Sequence, residues 1–309
     1  MGKLLRPAQD IVFQNIFGRN VSKKITSYFL SLILEKEIKN ITLDKNKRLL
    51  SGDVKAKLPR LDLRAEYNDG ENSIIEMQAT DYERMHDRML FYWAMAYKER
   101  MEKGEDYNEL KPVVSILIAN YNIKPFEKID KYHTVWNLRE TDYLSYIITD
   151  NIELHVLEIP KIKKLGIDLS KDELALWLSF INNPRDKEVL KMVKKGSALE
   201  QAMEELKKLS GDPGFSEIVQ ARAKEIMDDV SFRSAAKRQG IREGMEEGKK
   251  EGIEQGKKEG IEQGKKEGIE QGKKEEKKKI AKKMLLQHID IDVIQNVTGL
   301  EKEEIEKIK

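Results

Sequence analysis

The sequence predicts a mixed α/β domain followed by a long helical region. Short β-type runs alternate with helical patterns over residues 1–185, apolar residues recur at helical spacing over 171–239, and glycine occupies every fourth position from 240. Strands interleaved with helices indicate an α/β or α+β domain rather than a helical bundle. We therefore divide the chain into an α/β domain (1–185), a helical extension (186–239), a charged glycine repeat (240–275) and a small helical cap (276–309).

The first elements are two short helices. Asp10 can cap a helix that stops at Gly18, and Ser22 precedes a stronger amphipathic helix. Three strands and a third helix are predicted next, with a turn signal, Asn-Asp-Gly, between the second and third strands. The predicted ranges are 41–50, 60–67 and 71–79 for the strands and 82–103 for the helix.

The remaining elements alternate between apolar strands and helices. The apolar run 113–119 predicts a buried strand, 152–159 predicts another, and Trp136 lies in a short strand between them. Leu174, Trp177 and other apolar residues then recur at helical spacing.

Composition excludes several classes of protein. The chain has 309 residues and no cysteine, so it has no disulfide, no thiolate metal site and no cysteine nucleophile. Its four histidines lie too far apart in sequence for a local metal motif. The purest apolar run is far shorter than the ~20 residues that a membrane helix needs, and no signal peptide is evident. We expect a soluble cytoplasmic protein that does not bind membranes.

Nine glycines, from 240 to 272, repeat every fourth residue, and the unit Gly-Ile-Glu-Gln-Gly-Lys-Lys-Glu begins at 252, 260 and 268. Each glycine costs about 1 kcal/mol relative to alanine inside a helix. Two interpretations stay open. The segment is either a partly helical or disordered spacer, or a long helix that pairs with its copy in another chain, which would make the protein a homo-oligomer.

The last residues predict a miniature helix-turn-helix. Helical patterns lie on both sides of the turn Thr298-Gly299-Leu300. Glu301, Glu303, Glu304 and Glu306 give the last helix a charge that is poor for entering a DNA groove. This balance favours a packing or dimerisation cap over a DNA reader.

The hairpin around Asn68-Asp69-Gly70 carries the candidate chemistry. If the loop is the three residues Asn68, Asp69 and Gly70, the numbers of paired residues sum to 138. Asp62 then lies opposite Glu76. This loop also gathers the apolar residues other than Ile74 on one face, whereas a two-residue loop would mix the faces. Opposed side chains have Cβ atoms about 4.5–5.5 Å apart, so two carboxylates can share one cation.

The carboxylates of Asp62 and Glu76, together with Gln78 two positions after Glu76, have the composition of a site for a hard cation. Oxygen ligands suit Mg²⁺, Mn²⁺ or Ca²⁺, and such a cation can polarise a phosphodiester and activate water. The alternative is a solvated hairpin face with unrelated charges. Arg84 and Arg88, four residues apart on the predicted third helix, can face one phosphate, and Arg64 is assigned to the same DNA surface.

Asp62 followed by Glu76-x-Gln78 resembles the Asp…(Asp/Glu)-x-Lys signature of the PD-(D/E)XK nuclease superfamily. More specifically, the chain resembles the Rpn-type recombination-promoting nuclease and transposase family. The segments that carry this resemblance span most of the chain. They are residues 10–18, 61–65, 75–78, Arg88 with Tyr92, His133–Trp136, Leu157–Lys161, Ala202–Leu206, the glycine repeat and Thr298–Leu300.

The resemblance implies a metal-dependent DNA endonuclease, linked to recombination or mobile elements, on a restriction-endonuclease-like αβββαβ core. Asp62 and Glu76 would be metal ligands, and Asp10 matches an acidic position that can complete the site. Gln78 would occupy the place of the superfamily lysine, where its amide can orient water or phosphate but supplies no positive charge. The alternative function is a catalytically decayed nuclease fold that binds DNA or associates with other proteins, with a role in defence.

Overall fold

The computed structural model describes residues 4–44, 63–68, 70–78, 84–100, 106, 108 and 110–308. These residues form two compact units, one up to residue 227 and the other from residue 228. No helix in these ranges is long and apolar enough to cross a membrane.

The predicted mixed α/β fold is confirmed. The strands are β1 (Thr42–Asp44), β2 (Leu63–Tyr67), β3 (Glu71–Gln78), β4 (Val113–Ala119), β5 (His133–Trp136) and β6 (Ile152–Glu158). The helices are α1 (Asp10–Phe17), α2 (Lys23–Leu34), α3 (Met85–Lys98), α4 (Ile159–Lys164), α5 (Glu173–Asn182), α6 (Lys187–Met192), α7 (Ala198–Gly211), α8 (Pro213–Leu286), α9 (Ile291–Thr298) and α10 (Lys302–Glu306).

The six strands form one mixed sheet in the order β1-β2-β3-β4-β6-β5. The first three strands are antiparallel neighbours, β3, β4 and β6 run parallel, and β5 pairs antiparallel with β6. Along the chain, helices α1 and α2, strands β1 to β3, helix α3 and strand β4 follow the predicted αβββαβ order. The parallel strands end together at Gln78, Ala119 and Glu158.

Helices cover both faces of the sheet. One face packs against α1, α2, α5 and α7 around Trp177, whose ring lies 6.2 Å from that of Phe17 and 5.6 Å from that of Phe29. The other face packs against α3 through Ile74 and Leu117. In the predicted helical extension, α7 packs on the core.

Two predicted helix starts need correction. Gln9 is the N-cap of α1, and Asp10 is its first residue, where the carboxylate accepts a hydrogen bond from the backbone of Ile11 at 2.7 Å. The helix predicted at 82–103 begins at Met85 and ends at Lys98. Ser22 precedes α2 as predicted, although its side chain makes no capping hydrogen bond.

In the C-terminal unit the glycine repeat is helical, within α8. A Cβ added at any glycine from 240 to 272 would meet no atom of the described residues within 4 Å. The end of α8 packs with α9 and α10 around Ala281, Ile294 and Ile305. Gly299 ends α9 with a left-handed φ of 64°, which confirms the predicted turn.

Candidate active site

The β2–β3 hairpin has the register that the sequence predicts. Tyr67 pairs with Glu71 and Leu63 pairs with Ile75, so the paired numbers sum to 138. Gly70 has a φ of 113°, a region that L-residues rarely adopt, which explains glycine at this point of the loop. Leu63, Ala65, Tyr67, Ile75 and Met77 of the hairpin face the core that contains Trp177, whereas Ile74 packs against α3 on the other face.

Glu76 and Gln78 lie side by side near the end of β3. The Gln78 amide Nε2 donates a hydrogen bond of 3.1 Å to Oε1 of Glu76. Glu76 is only 7% exposed. Because the nitrogen of the Gln78 amide makes this bond, its oxygen stays available as a ligand beside the Glu76 carboxylate. Two oxygen ligands of this kind suit a hard cation.

The two other predicted metal ligands are Asp62 and Asp10. Asp62 lies outside the described residues, and its pairing with Glu76 stays a prediction. The carboxylate of Asp10 accepts a hydrogen bond of 2.9 Å from the guanidinium of Arg222 on α8. Among the described residues, no group of three or more histidine, aspartate or glutamate side chains is placed to hold a metal ion. Of the predicted site residues, the described part of the chain brings together Glu76 and Gln78, and their role as cation ligands stays a prediction.

Arg64 is buried under α3, not presented on a solvated face. Its guanidinium donates to Asn72 Oδ1 at 3.0 Å and to Glu99 Oε2 at 2.9 Å. Arg64 is 7% exposed. A buried arginine that bonds a carboxylate and an amide joins the hairpin to the end of α3. Its predicted contact with DNA would require these bonds to break.

Arg84 and Arg88 flank the start of α3. Arg84 is the N-cap residue with a left-handed φ of 62°, so it precedes the helix, and the backbone N–H of Arg88 donates to its carbonyl at 3.2 Å. Its guanidinium lies 2.6 Å from Oδ2 of Asp87 and its side chain is 78% exposed. Arg88 donates to the hydroxyl of Tyr92 at 2.5 Å and lies over the same ring. Their DNA contacts stay predictions.

A buried ion pair fixes the segment that follows β4. Lys161 Nζ lies 2.5 Å from Glu158 Oε2, and both side chains are at most 2% exposed. The same ammonium donates to the carbonyls of Phe126 and Ile129, and Glu158 Oε1 accepts from the backbone N–H of Ile123. The ammonium thus makes two hydrogen bonds to backbone carbonyls in addition to its ion pair with Glu158.

The segment held by this ion pair contacts both the end of β3, at Gln78, and the start of α3. The segment that it fixes starts with Asn120, whose backbone N–H donates to the carbonyl of Gln78 at 2.9 Å. Phe126 in the same segment packs against His86 at the start of α3. In the sequence, Glu158 and Lys161 are identified only as part of the family motif Leu157–Lys161, and not as an ion pair. The sequence pattern that could have predicted the ion pair is two opposite charges three residues apart at the end of a strand.

Two histidines form a hydrogen-bonded chain on the opposite face of the sheet. His133 Nε2 lies 2.9 Å from His155 Nδ1, and His155 Nε2 lies 2.6 Å from Glu153 Oε1. Burial, with the neighbouring His155 as a smaller cause, lowers the pKa of His133 to about 4. The hydrogen bond from His155 lowers the pKa of Glu153. His133 is therefore neutral at physiological pH.

Comparison with known proteins identifies the family. The profile of the PD-(D/E)XK nuclease family transposase matches residues 7–236, and the profile of the Rpn/YhgA-like nuclease family C-terminal HTH domain matches residues 274–309. No significant match is found among curated proteins or solved structures. The two matches follow each other in the order of a nuclease core and a C-terminal helix-turn-helix domain. The chain therefore belongs to the PD-(D/E)XK nuclease family transposases of the Rpn type.

Proposed function

We propose that the protein is a divalent-metal-dependent DNA endonuclease. The observation that carries this proposal is the buried Glu76 carboxylate beside the Gln78 amide, at the end of β3 in a PD-(D/E)XK core. Asp62, which the sequence predicts opposite Glu76, is the second proposed ligand. A bound Mg²⁺, Mn²⁺ or Ca²⁺ ion supplies Lewis-acid polarisation of the phosphodiester.

The residues of the chain have distinct roles in this proposal. Glu76 and Asp62 hold the cation, and the Gln78 amide orients water or a phosphate oxygen by hydrogen bonding. Hydrolysis breaks one P–O bond, as water gives its OH to phosphorus and its proton to the leaving oxygen. Arg84, whose guanidinium is exposed, is the residue that we propose contacts a phosphate. The ion pair of Asp10 with Arg222 supports a structural role for Asp10 over a third ligand.

The C-terminal unit supplies the second DNA contact in this proposal. Exposed lysines cluster at the end of α8, whereas α10 has an acidic first turn with Glu303 and Glu304. Phosphate binding depends on cations, so we assign DNA contact to the lysine cluster and not to α10. The cluster consists of Lys277, Lys278, Lys279, Lys282 and Lys283.

The glycine repeat is proposed to join copies of the chain. Its glycines are open on the surface of α8, with none of the described residues within 4 Å of an added Cβ. A second helix can approach such a surface closely. Homo-oligomerisation through this region is separate from the chemistry at β3.

Plasmid nicking by the full chain tests the nuclease activity. We expect relaxed and linear products with Mg²⁺ or Mn²⁺ and none after chelation. Glu76→Gln and Asp62→Asn should each lower the rate by at least about 100-fold, because one ligand of the cation is lost while side-chain size is kept. The matched control is Glu217→Gln, which neutralises an exposed carboxylate on α8.

Unchanged cleavage in Glu76→Gln and Asp62→Asn would show that the activity comes from elsewhere. The second candidate function, a decayed nuclease that only binds DNA, is favoured by the lack of positive charge at Gln78. Metal-independent DNA binding without any nicking would support it. Gln78→Lys should keep cleavage better than Gln78→Ala, because lysine can stabilise developing phosphate charge.

A further inference from the structure

Large apolar side chains are concentrated on the surface at and beyond β5. Between residues 135 and 148, eight of them are 37–80% exposed, more than in any other stretch of this length in the described chain. They are Val135, Trp136, Leu138, Tyr143, Leu144, Tyr146, Ile147 and Ile148. We call residues 137–148 the post-β5 loop. Its apolar side chains take no part in the proposed nuclease site.

The post-β5 loop is held in shape by its own hydrogen bonds. Glu140 Oε2 accepts from the backbone N–H groups of Asp142 and Tyr143 at 2.8 and 2.5 Å. Arg139 donates to the carbonyl of Leu144 at 2.6 Å and forms an antiparallel bridge with Ile147. A loop ordered before binding loses little conformational entropy when it docks.

The same surface includes a strand edge. β5 is the outermost strand on its side of the described sheet. Tyr132 accepts a hydrogen bond of 2.7 Å from the backbone of Glu158. The alternation of an antiparallel ladder therefore directs the backbone N–H and C=O groups of His133 and Val135 away from β6. Such an edge is a template for another strand.

The area of the patch corresponds to one side of a stable dimer. With about 100–200 Å² for each large side chain, the exposed fractions give roughly 700 Å² of mainly apolar surface. The largest apolar patch on a monomer is typically about 300–600 Å², and each partner in a standard interface buries about 800 Å². The summed apolar exposure of β5 and the post-β5 loop is therefore close to the area that one partner buries in a standard interface.

We propose that β5 and the post-β5 loop form a homodimer interface, with a second copy of this chain as the occupant. Two β5 strands can pair antiparallel across a two-fold axis, and the loops on either side then cover each other. One surface thus serves both partners, as in an isologous dimer. The loop carries Arg139 against Glu140 and Asp142, so its charge is slightly negative and unsuited to DNA or an anionic membrane.

The mass of the full chain in solution tests the proposal. Leu144→Asp/Ile148→Asp places charges on the patch and should lower the mass by a factor of about two, since each copy contributes one side of the interface. Val21→Asp/Leu190→Asp is the matched control, because both residues are exposed apolar residues outside the patch. Circular dichroism and thermal unfolding should show equal folding of the two variants. If the double aspartate variant misfolds, Tyr146→Ser replaces it.

Cross-linking separates this interface from association through α8. The chain has no cysteine, so Ser145→Cys in the post-β5 loop supplies a single thiol. A short bis-maleimide should link Ser145→Cys chains as dimers, and adding Leu144→Asp/Ile148→Asp should abolish the product. Val21→Cys should give only background cross-linking.

Three outcomes would overturn the proposal. The first is a monomeric wild-type chain. The second is an unchanged mass in the aspartate variant together with equal cross-linking of the two cysteine variants. The third is an unchanged mass with loss of binding to duplex DNA or to phosphatidylserine vesicles, which would assign the patch to that partner.

Discussion

The core around Trp177 and the glycine repeat of α8 are stabilised in different ways. In the core, long-range packing fixes the side chains, and Trp177 is fully buried among aromatic rings. In the repeat, the side-chain bonds are local, such as Gln255 to Glu259 and Gln263 to Glu267. Tertiary contacts determine the first region, and helix propensity with i,i+4 pairs determines the second.

This contrast has a consequence for substitutions. A change in the core acts through buried partners, so its effect on the free energy of unfolding depends on what is left unpaired. A change in the repeat acts mainly through backbone propensity, so its effect is small and depends on residue type.

The largest expected effect comes from breaking the buried ion pair. Lys161→Met leaves Glu158 buried without its cation and should lower the free energy of unfolding by about 3–5 kcal/mol. The double variant Glu158→Gln/Lys161→Met removes both charges and should recover much of this loss. Urea unfolding of the full chain, followed by tryptophan fluorescence, measures both. Equal losses in the single and double variants would show that the charges themselves do not carry the effect.

The pH dependence of stability tests the buried histidine chain. The pKa of His133 falls from 6.5 to about 4 on folding, while Asp172 and Glu153 oppose the shift. The unfolded chain then binds the proton more tightly, so stability is full above pH 6.5 and is lost as pH falls towards 4. We expect a loss on the order of 2 kcal/mol after allowing for partial exposure.

His133→Phe should flatten this part of the stability profile, because it removes the group that titrates. The control is His288→Asn, an exposed position with a left-handed φ of 54° that asparagine tolerates. Urea midpoints measured from pH 7.5 to pH 4.5 compare the two variants with the wild type. A wild-type loss that persists in His133→Phe would assign the pH dependence to another group.

Local patterns gave the parts of the structure that the sequence could predict. The Asn-Asp-Gly turn and the alternation of apolar residues fixed the hairpin register, and continuous apolar residues identified β4. The burial of Arg64 was not predictable, because its partner Glu99 lies 35 residues away. The role of Lys161 was not predictable either, because it donates to the carbonyls of Phe126 and Ile129, which are also distant in sequence. Side chains that act through distant partners leave little signal in one sequence.

The smallest effect is expected in the glycine repeat, where the same substitution should stabilise at some positions and destabilise at another. Gly256→Ala and Gly264→Ala add a Cβ in open space and should each stabilise α8 locally by up to about 1 kcal/mol. Gly299→Ala is the matched control, since its left-handed φ of 64° makes alanine strained there by about 1–2 kcal/mol. Hydrogen exchange of the α8 and α9 amides measures both effects.

The oligomeric state of the same variants distinguishes the two interpretations of the repeat. If the glycines serve only as a helical spacer, Gly256→Ala/Gly264→Ala increases amide protection and leaves the mass of the chain unchanged. If a second helix approaches the glycine row, two added methyl groups meet that helix and the mass falls even though the isolated helix is more stable. Light scattering with hydrogen exchange on one sample separates these results, because propensity and close packing predict opposite responses of association to alanine.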